Sequence, residues 1–487
     1  MLRTKKKNNR HFLRHFFVLF IFLQTQVFSV DLTTYLTWVK LYHPFFKDQS
    51  LSQSIQDQAV LGQEGVSDWR LFVELGSNKL EPIQESDFSP TKVQTHYLSI
   101  STQKKVLPVG GVFQVYGRSI QRNQFLNPIQ FGDQMVSFGL GRLYENRLGL
   151  SYTQPLLKNR KGRLDRFPIF QAEKRAEANQ YRKKINEDAF LAMATQRYIA
   201  WALNVELLQL TQKQLDSARD QLAQTKRKYA QNLVERLDVL RAEDDVRLNQ
   251  QKRITIASQV ADAAIALSLL SGKPRSALAT PDFDLERLQA ISGAVSFEET
   301  YQAQLFFLDL ALQERVKQAK KEASRSSLDV VVDLSLLGGS DSVRSSLSLD
   351  KSDHSLSLLY QRSLQNRRAR SDFKQSVLGL DQLELRREEA RLQFETKKRQ
   401  LLEQLKATQD QILLSRAHIK SSKKRVDEER RLYDLGKGNL NFVIQAKSYY
   451  YQTEIQYRQN LAQAQLYYVD YLNLTSQLTY QLLDKEH

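Results

Sequence analysis

The residue types that carry chemistry are sparse in this chain and badly spaced for catalysis. There are seven histidines and no cysteine. The only His-x-x-x-His pair, His11 and His15, has no Glu-x-x-His beside it. No Gly-x-Ser-x-Gly elbow and no phosphate-binding glycine loop occurs. Adjacent acids such as Asp244-Asp245 and Glu428-Glu429 lie in long polar runs of helical period, where a solvated helix face accounts for them. The expectation is therefore a protein without a catalytic site, a cofactor or a metal centre. The missing cysteine also removes a disulfide framework and a lipid-attached N-terminus.

The feature the chain does repeat is a helical reversal. Trp201, Leu208, Leu215, Leu222 and Tyr229 recur every seventh residue, and the short residues Thr211, Ala218 and Thr225 follow three positions on. Such a narrow seam suits one close-lying helical partner rather than a globular core. The helix, predicted from Arg166 to about Gln231, ends in Tyr229-Ala-Gln-Asn-Leu-Val-Glu-Arg-Leu-Asp-Val-Leu-Arg-Ala242. The device returns about 204 residues later. Leu405, Ile412, Ile419, Val426 and Tyr433 keep the spacing, Thr408, Ser415 and Ser422 take the short positions, and the run ends in Tyr433-Asp-Leu-Gly-Lys-Gly-Asn-Leu-Asn-Phe-Val-Ile-Gln-Ala446. Superposed, Tyr229 meets Tyr433, Val239 meets Val443, Leu240 meets Ile444 and Ala242 meets Ala446. Asn232 falls on Gly436, and these two residue types enter the left-handed conformation that ends a helix most readily. A long helical hairpin has been duplicated.

Upstream of each long helix lies a second shared segment. Gln154-Pro-Leu-Leu-Lys-Asn-Arg-Lys-Gly-Arg-Leu-Asp165 lies over Gln361-Arg-Ser-Leu-Gln-Asn-Arg-Arg-Ala-Arg-Ser-Asp372. The offset is here about 207, so one long helix is predicted to be about a turn longer than the other. Before each segment Leu148, Leu150 and Tyr152 alternate with Gly149, Ser151 and Thr153, and Leu356, Leu358 and Tyr360 with Ser355 and Ser357. That is the pattern of a half-buried strand, whose two faces in a membrane barrel would be lipid and lumen. Further strands are predicted at Leu328 to Leu337 and His354 to Arg362, with a polar loop of about fifteen residues opened by Gly338. In the first repeat Trp69 to Leu75, His96 to Gln103 and Val112 to Gln121 read as strands, and Arg122 to Asn146 as a long loop.

Together the duplicated strand-to-helix junction, the Tyr-x-x-Gly/Asn turn followed by Asp/Phe-Val-Leu/Ile-x-Ala, and the Leu-rich run before Ser271-Gly272 resemble the TolC-like family of outer-membrane efflux and secretion channels. The resemblance covers nearly all of the mature chain. It implies a mainly α fold with a small β-barrel portion, and a homotrimer set in outer-membrane lipid and extending into the periplasm. Its partners would be a periplasmic adaptor (membrane fusion) protein and an inner-membrane pump. The implied function is a passive exit duct for a tripartite efflux or type I secretion system. A periplasmic or surface coiled-coil scaffold without a pore is the second reading of the same periodicity. The family pattern needs two strands per repeat. One first-repeat hairpin would then stand above the membrane or lie over the tunnel, or one of the three segments is not a strand.

The resemblance also sets the constriction at the inner end of the hairpins. Gly436 matches the family glycine and Tyr433 the tyrosine three before it, with Asn232 and Tyr229 as first-repeat counterparts, and Asp238 also fits the pattern. Related channels often carry an Arg two residues after that glycine and acids six and nine after it, where this chain has Gly438, Phe442 and Gln445. The expected replacement is an aromatic plug of Phe442 and Tyr433, with Asp238 paired to Lys437 or Arg236. Alternatively Tyr229, Tyr433 and Phe442 cap the coiled-coil seam.

At the N-terminus Lys5-Lys6-Lys7, Arg10 and Arg14 precede the apolar run Phe16 to Leu23 and the segment Val27-Phe28-Ser29. This is the layout of a secretory signal peptide over residues 1–29, with an apolar core too short to span a bilayer. Its loss removes Arg3, Lys5, Lys6, Lys7, Arg10 and Arg14 and no acid, taking the formal charge from +17 to +11. The remaining Lys and Arg are interleaved with Glu and Asp on helix faces, so no nucleic-acid partner is expected. No later stretch is expected to match a spanning helix, which leaves strands as the route into a membrane. The mature chain divides into a first repeat at 30–272, an equatorial connector at 273–295 and a second repeat at 296–487. The connector is opened by Gly272-Lys273-Pro274 and carries a short helical run at Leu285 to Ala290.

Overall fold

The computed structural model describes residues 29–484 apart from 84, 85, 87, 88, 127, 132, 137, 138, 279 and 288–294. Of the signal peptide predicted at 1–29, residues 1–28 lie outside the described residues, as does the run from 288 to 290, while Leu285 and Glu286 form a turn rather than a helix. The chain begins β1 (Ser29–Asp31), α1 (Leu32–Tyr42), α2 (Pro44–Glu64), β2 (Arg70–Leu80), β3 (Lys92–Val106), β4 (Gly111–Phe125), β5 (Ile129–Phe131), β6 (Gln134–Val136) and β7 (Gly139–Pro155). It continues α3 (Arg163–Ala230), α4 (Arg236–Ser271), β8 (Thr280–Asp282), α5 (Tyr301–Ala323), β9 (Ser327–Ser340), α6 (Val343–Ser346), β10 (Lys351–Gln361), α7 (Arg367–Asp434) and α8 (Leu440–Leu474). All the strands predicted from alternation are present.

Several boundaries differ from the sequence reading for identifiable reasons. The long helices α3 and α7 are both 68 residues, so neither has an extra turn. The three additional residues of the first junction form a tight 3-10 loop, Arg160–Gly162, with Lys161 at φ 59°. In both repeats the loop begins at the matched asparagine in the left-handed region, Asn159 at φ 64° and Asn366 at φ 47°. Asn159 then caps α3, its Oδ1 accepting the Leu164 amide at 2.9 Å. The two outer connections are shorter than predicted, because the polar ends of β4, β7 and β9 remain paired beyond the alternating region. The segment read as a loop from Arg122 to Asn146 is largely hairpin arms plus the small β5–β6 hairpin, and the second-repeat connection shrinks to 341–350 around α6. Contrary to the expectation for the mature chain, α4 contains an 18-residue window of mean hydropathy 1.6, long and apolar enough by composition to cross a membrane. Only 22% of that window is buried, where Ala264, Leu267 and Leu270 enter a helical core.

Two compact units share the chain, with α3 and α7 contributing to both. The first comprises residues up to Asp48, Lys184–Thr300 and Leu392 onward. Asp31 opens α1 by accepting the Thr34 amide at 3.1 Å, and Tyr35, Leu36 and Val39 enter a core with Leu191, Tyr198 and Trp201 of α3, Leu267 of α4 and Leu461 of α8. Tyr35 stacks on Tyr198 at 5.4 Å, and the Tyr198 hydroxyl donates to the Val30 carbonyl. Beside it β1 pairs in parallel with β8, so the segment at Thr280–Asp282 is stitched to the residues just before α1. Most of the coiled-coil seam follows the spacing, but Leu208, Leu222, Ile419 and Val426 are only half-buried and Tyr229 is exposed. Leu215, Leu405 and Ile412 are buried, as are the short residues Thr211, Ala218, Thr225, Thr408 and Ser422. The buried hydroxyls return to their own helix, Thr225 to Gln221 O at 2.9 Å and Thr408 to Gln404 O at 2.7 Å, so close helix approach orphans neither of these two hydroxyls.

The second unit holds Gln49–Lys183 and Tyr301–Arg391. Here α2 lies along α3, with Asn179 Nδ2 donating to Gln53 Oε1 at 3.0 Å, and α5 lies along α7, with Lys320 and Asp372 paired at 3.2 Å. Its six main strands form one antiparallel sheet in the order β10-β9-β7-β4-β3-β2.

In the first unit Asp188 is buried and accepts the Thr479 hydroxyl. Burial holds its carboxyl above the usual range, outweighing that hydrogen bond and the nearby Lys184 and Lys40. A folded pKa above the unfolded one means that ionisation works against folding, with stability fully present below about pH 4 and lost as pH rises through the folded value. Asp188→Asn is therefore expected to raise the thermal midpoint at pH 7 and to leave it unchanged at pH 4, measured by thermal unfolding in detergent.

Candidate functional site at the hairpin tips and on the sheet

Each hairpin turns through the same backbone motif. At the end of α3 the Leu233 amide donates to Lys228 O at 2.9 Å and the Asn232 amide to Tyr229 O at 2.9 Å. At the end of α7 the Lys437 amide donates to Leu432 O at 2.9 Å and the Gly436 amide to Tyr433 O at 3.1 Å. These paired bonds close a helix through one left-handed residue, here Asn232 at φ 56° and Gly436 at φ 72°. Asn439 then starts α8 by accepting the Asn441 amide at 2.8 Å. Gly438, in the position where related channels often carry an Arg, has no room for a side chain. A Cβ there would lie 2.8 Å from the Tyr433 nitrogen and 3.0 Å from the Leu432 carbonyl carbon.

The predicted tip residues separate into two groups. Tyr433 is buried, packing with Ala242, Leu440 and Val443 and against the partly buried Leu222 and Val234. It therefore belongs to the seam between the two hairpins. Tyr229, Phe442 and Gln445 are exposed, and Phe442 and Gln445 are one turn apart on α8. Asp238 does not pair with Lys437 or Arg236; it bonds Arg241 at 3.3 Å on its own helix, three residues on. At the tips a charged link between the hairpins comes from Lys228, whose Nζ lies 3.0 Å from Asp434 and 4.0 Å from the centre of the Tyr433 ring. An exposed ion pair contributes about 0–1 kcal/mol and a cation over an aromatic face about as much again. Lys447 adds a second polar link, donating to Gln221 at 3.1 Å. Burial, with Arg430 beside it, holds this ammonium below the usual lysine range. The Lys228 link was missed because its partner is set by helix pairing, although Lys228 and Asp434 each adjoin a repeated tyrosine. Among the described residues no three His, Asp or Glu side chains gather as a metal ion would require.

The sheet has two chemically opposite faces. One row across it reads Leu71, Thr102, Val115, Leu150, Leu334 and His354, and the next Val73, Ile100, Gly117, Leu148, Leu336 and Ser352. At one end of the same face Trp69 meets Phe113 edge-on at 6.2 Å, with Tyr152 opposite Phe113 in register. The other face carries rows such as Glu74, Ser99, Arg118 and Arg147. There Tyr97 donates to Glu74 at 2.8 Å, Tyr116 donates to Asp333 at 2.8 Å, and Arg147 pairs with Asp353 at 3.5 Å. Apolar side chains rimmed by aromatics lie on one side of the sheet and a charged network on the other, the alternation that a wall between lipid and water requires.

Two superposable long helical hairpins joined to an antiparallel sheet of this kind make the TolC-like fold, mainly α with a β portion. Three solved structures have it in common with this chain. CusC, described for the changes that accompany folding and transmembrane channel formation, is 13% identical with a TM-score of 0.67, over 92% of this chain and 93% of that one. A membrane protein from Pseudomonas aeruginosa is 15% identical with a TM-score of 0.66, over 92% and 91%. The CmeC outer membrane channel of Campylobacter jejuni is 10% identical with a TM-score of 0.65, over 92% and 85%. No family model matches the sequence, and no curated protein matches it.

The two glycines of the second tip are expected to respond differently. Nothing lies within 4 Å of a Cβ at Gly436, so Gly436→Ala pays only for backbone conformation. That is about 1 kcal/mol, or roughly fivefold faster amide exchange at Lys437. Gly438→Ala forces the turn apart and exposes the Lys437 and Gly436 amides together. Tyr433 Oη is buried with no hydrogen-bond partner among the described residues, so Tyr433→Phe should be neutral or stabilising by up to about 1 kcal/mol in thermal unfolding.

Proposed function

We propose that this chain is the outer-membrane exit duct of a tripartite efflux or type I secretion system. Three copies close their sheets into one barrel in the outer membrane, and the helical hairpins extend into the periplasm. There they meet an adaptor protein and an inner-membrane pump. The observation that carries this reading is the division of the sheet into an apolar face and a charged face. A sheet of that kind is stable with hydrocarbon on one side and water on the other, and with its edges closed. The likeness in fold to solved outer-membrane channels supports it. Transport in this reading is passive: the chain supplies a path with a closable end, and the pump supplies the energy.

The closed end is the hairpin tip. Phe442 and Gln445 line the aperture from the second hairpin, Asn232, Gly436 and Gly438 shape the turns, and Lys228 on Asp434 and Tyr433 ties the two hairpins of one copy together. Asp238 is held within its own helix and Tyr229 stays exposed beside the turn.

Purified protein in planar bilayers is expected to give stepwise conductance, and unheated protein to migrate as a trimer that heating dissociates. A product that stays in the soluble fraction as a monomer and never inserts would refute the channel. Phe442→Ala and Lys228→Met are each expected to raise single-channel conductance, the first by widening the aperture and the second by loosening the tip. Unchanged conductance in both would move the constriction elsewhere.

A further inference from the structure

The TolC-like pattern needs two strands from each repeat, and here the second repeat supplies β9 and β10 while the first supplies four, β2, β3, β4 and β7. The additional pair is neither folded over the helices nor separate from the sheet. β3 pairs with β4 without interruption from Lys92–Phe125 to Val106–Gly111, and β2 with β3 from Arg70–Gln103 to Leu80–Val93. The turn between β3 and β4 is tied to the helical junction, with Gln154 Nε2 donating to Val109 O at 3.0 Å and Lys105 paired with Asp165 at 2.7 Å.

The apolar face runs on through the additional strands. Leu71, Val73 and Leu75 of β2 are 69%, 62% and 82% exposed, and they continue into Leu98 and Ile100 of β3. A hairpin standing in water has no use for such a face, and the charged face opposite, Glu74 with Tyr97, continues equally. The apolar band also descends across the sheet. It is centred level with Phe72 on β2, a row that reaches β10 at Asp353, yet on β10 it is centred on Leu358. A slip of about five residues over five strand steps, at ~3.3 Å and ~4.8 Å each, is a tilt of about 35°, that of strands in a closed membrane barrel. The two free edges suit each other. β2 and β10 are each 11 residues, and with six antiparallel strands between and including them they run in opposite directions.

Resting on the channel reading, we infer that all six strands belong to the barrel wall. β2 of one copy pairs antiparallel with β10 of the next, three copies close an eighteen-stranded barrel, and lipid acyl chains cover Leu71, Val73, Leu75, Leu98 and Ile100. At ~4.8 Å spacing and ~40° tilt the backbone diameter is about 36 Å, against about 24 Å for twelve strands.

The chain has no cysteine, so single substitutions report cleanly. In proteoliposomes Ser99→Cys, on the charged face, should react with a membrane-impermeant maleimide, while Val73→Cys and Ile100→Cys should react only after the bilayer is dissolved. Electron micrographs of the unsubstituted trimer viewed down its axis should show the wide ring, a readout that does not depend on any variant folding. A trimer with a ring of about 24 Å, or one in which Val73→Cys and Ile100→Cys react as fast as Ser99→Cys, overturns the six-strand wall and leaves the channel standing. A soluble monomer overturns both.

Discussion

In the proposed membrane setting, backbone hydrogen bonding in the absence of water governs the strand-bearing unit. Inside hydrocarbon an unpaired N–H or C=O costs several kcal/mol, so a sheet entering a bilayer has to close. The sheet here has open edges at β2 and β10 and an apolar face that is largely uncovered, the α6 turn reaching it only near Asn146 and Gly338. Both features are liabilities in a solitary soluble protein, where edges are blunted and apolar patches kept small. Both disappear when identical sheets join edge to edge in lipid. Much else follows from that requirement, including alternation with period two, the aromatic rim at Trp69, Phe113 and Tyr152, and the charge network kept to one face.

The helical unit answers a different constraint, close approach of very long helices. A single seam position every seven residues, backed by a residue no larger than threonine, lets two helices lie together over many turns. Because the seam is narrow, most of each surface remains polar, and the mean hydropathy of the whole chain stays low at -0.49. The tips end this pairing with one left-handed residue each. The strand-to-helix junctions use the same backbone conformation, which ordinary side chains avoid, at Asn159, Lys161 and Asn366.

Much of this was legible before any coordinates. The seam, the duplicated reversals and the left-handed roles of Asn232 and Gly436 follow from residue type and spacing, and so does the facing of Leu148, Leu150, Leu356 and Leu358. What escaped the sequence has physical reasons. Hairpin arms above the alternating band mix polar residues and glycine with isolated apolar ones such as Phe125 and Leu143 and lose the period of two, so β4, β7 and β9 end in the sequence before they end in space. The three-residue insertion at Arg160–Gly162 became a loop rather than helix because Lys161 holds a positive φ that its identity does not advertise. The tip pairing of Lys228 with Asp434 depends on which helices are neighbours. The exclusion of a side chain at Gly438 depends on a carbonyl carbon and a nitrogen that no pattern of residue types reveals.

The duplication is even in the helices and uneven in the strands: α3 matches α7 residue for residue in length, while the first repeat supplies four main strands and the second two. In a ring of three copies the hairpins would present six near-alike grips, whereas the rim would carry only threefold order. The periplasmic partner of the proposed duct would thus meet two staggered settings. Anything that reads the outer surface meets just one.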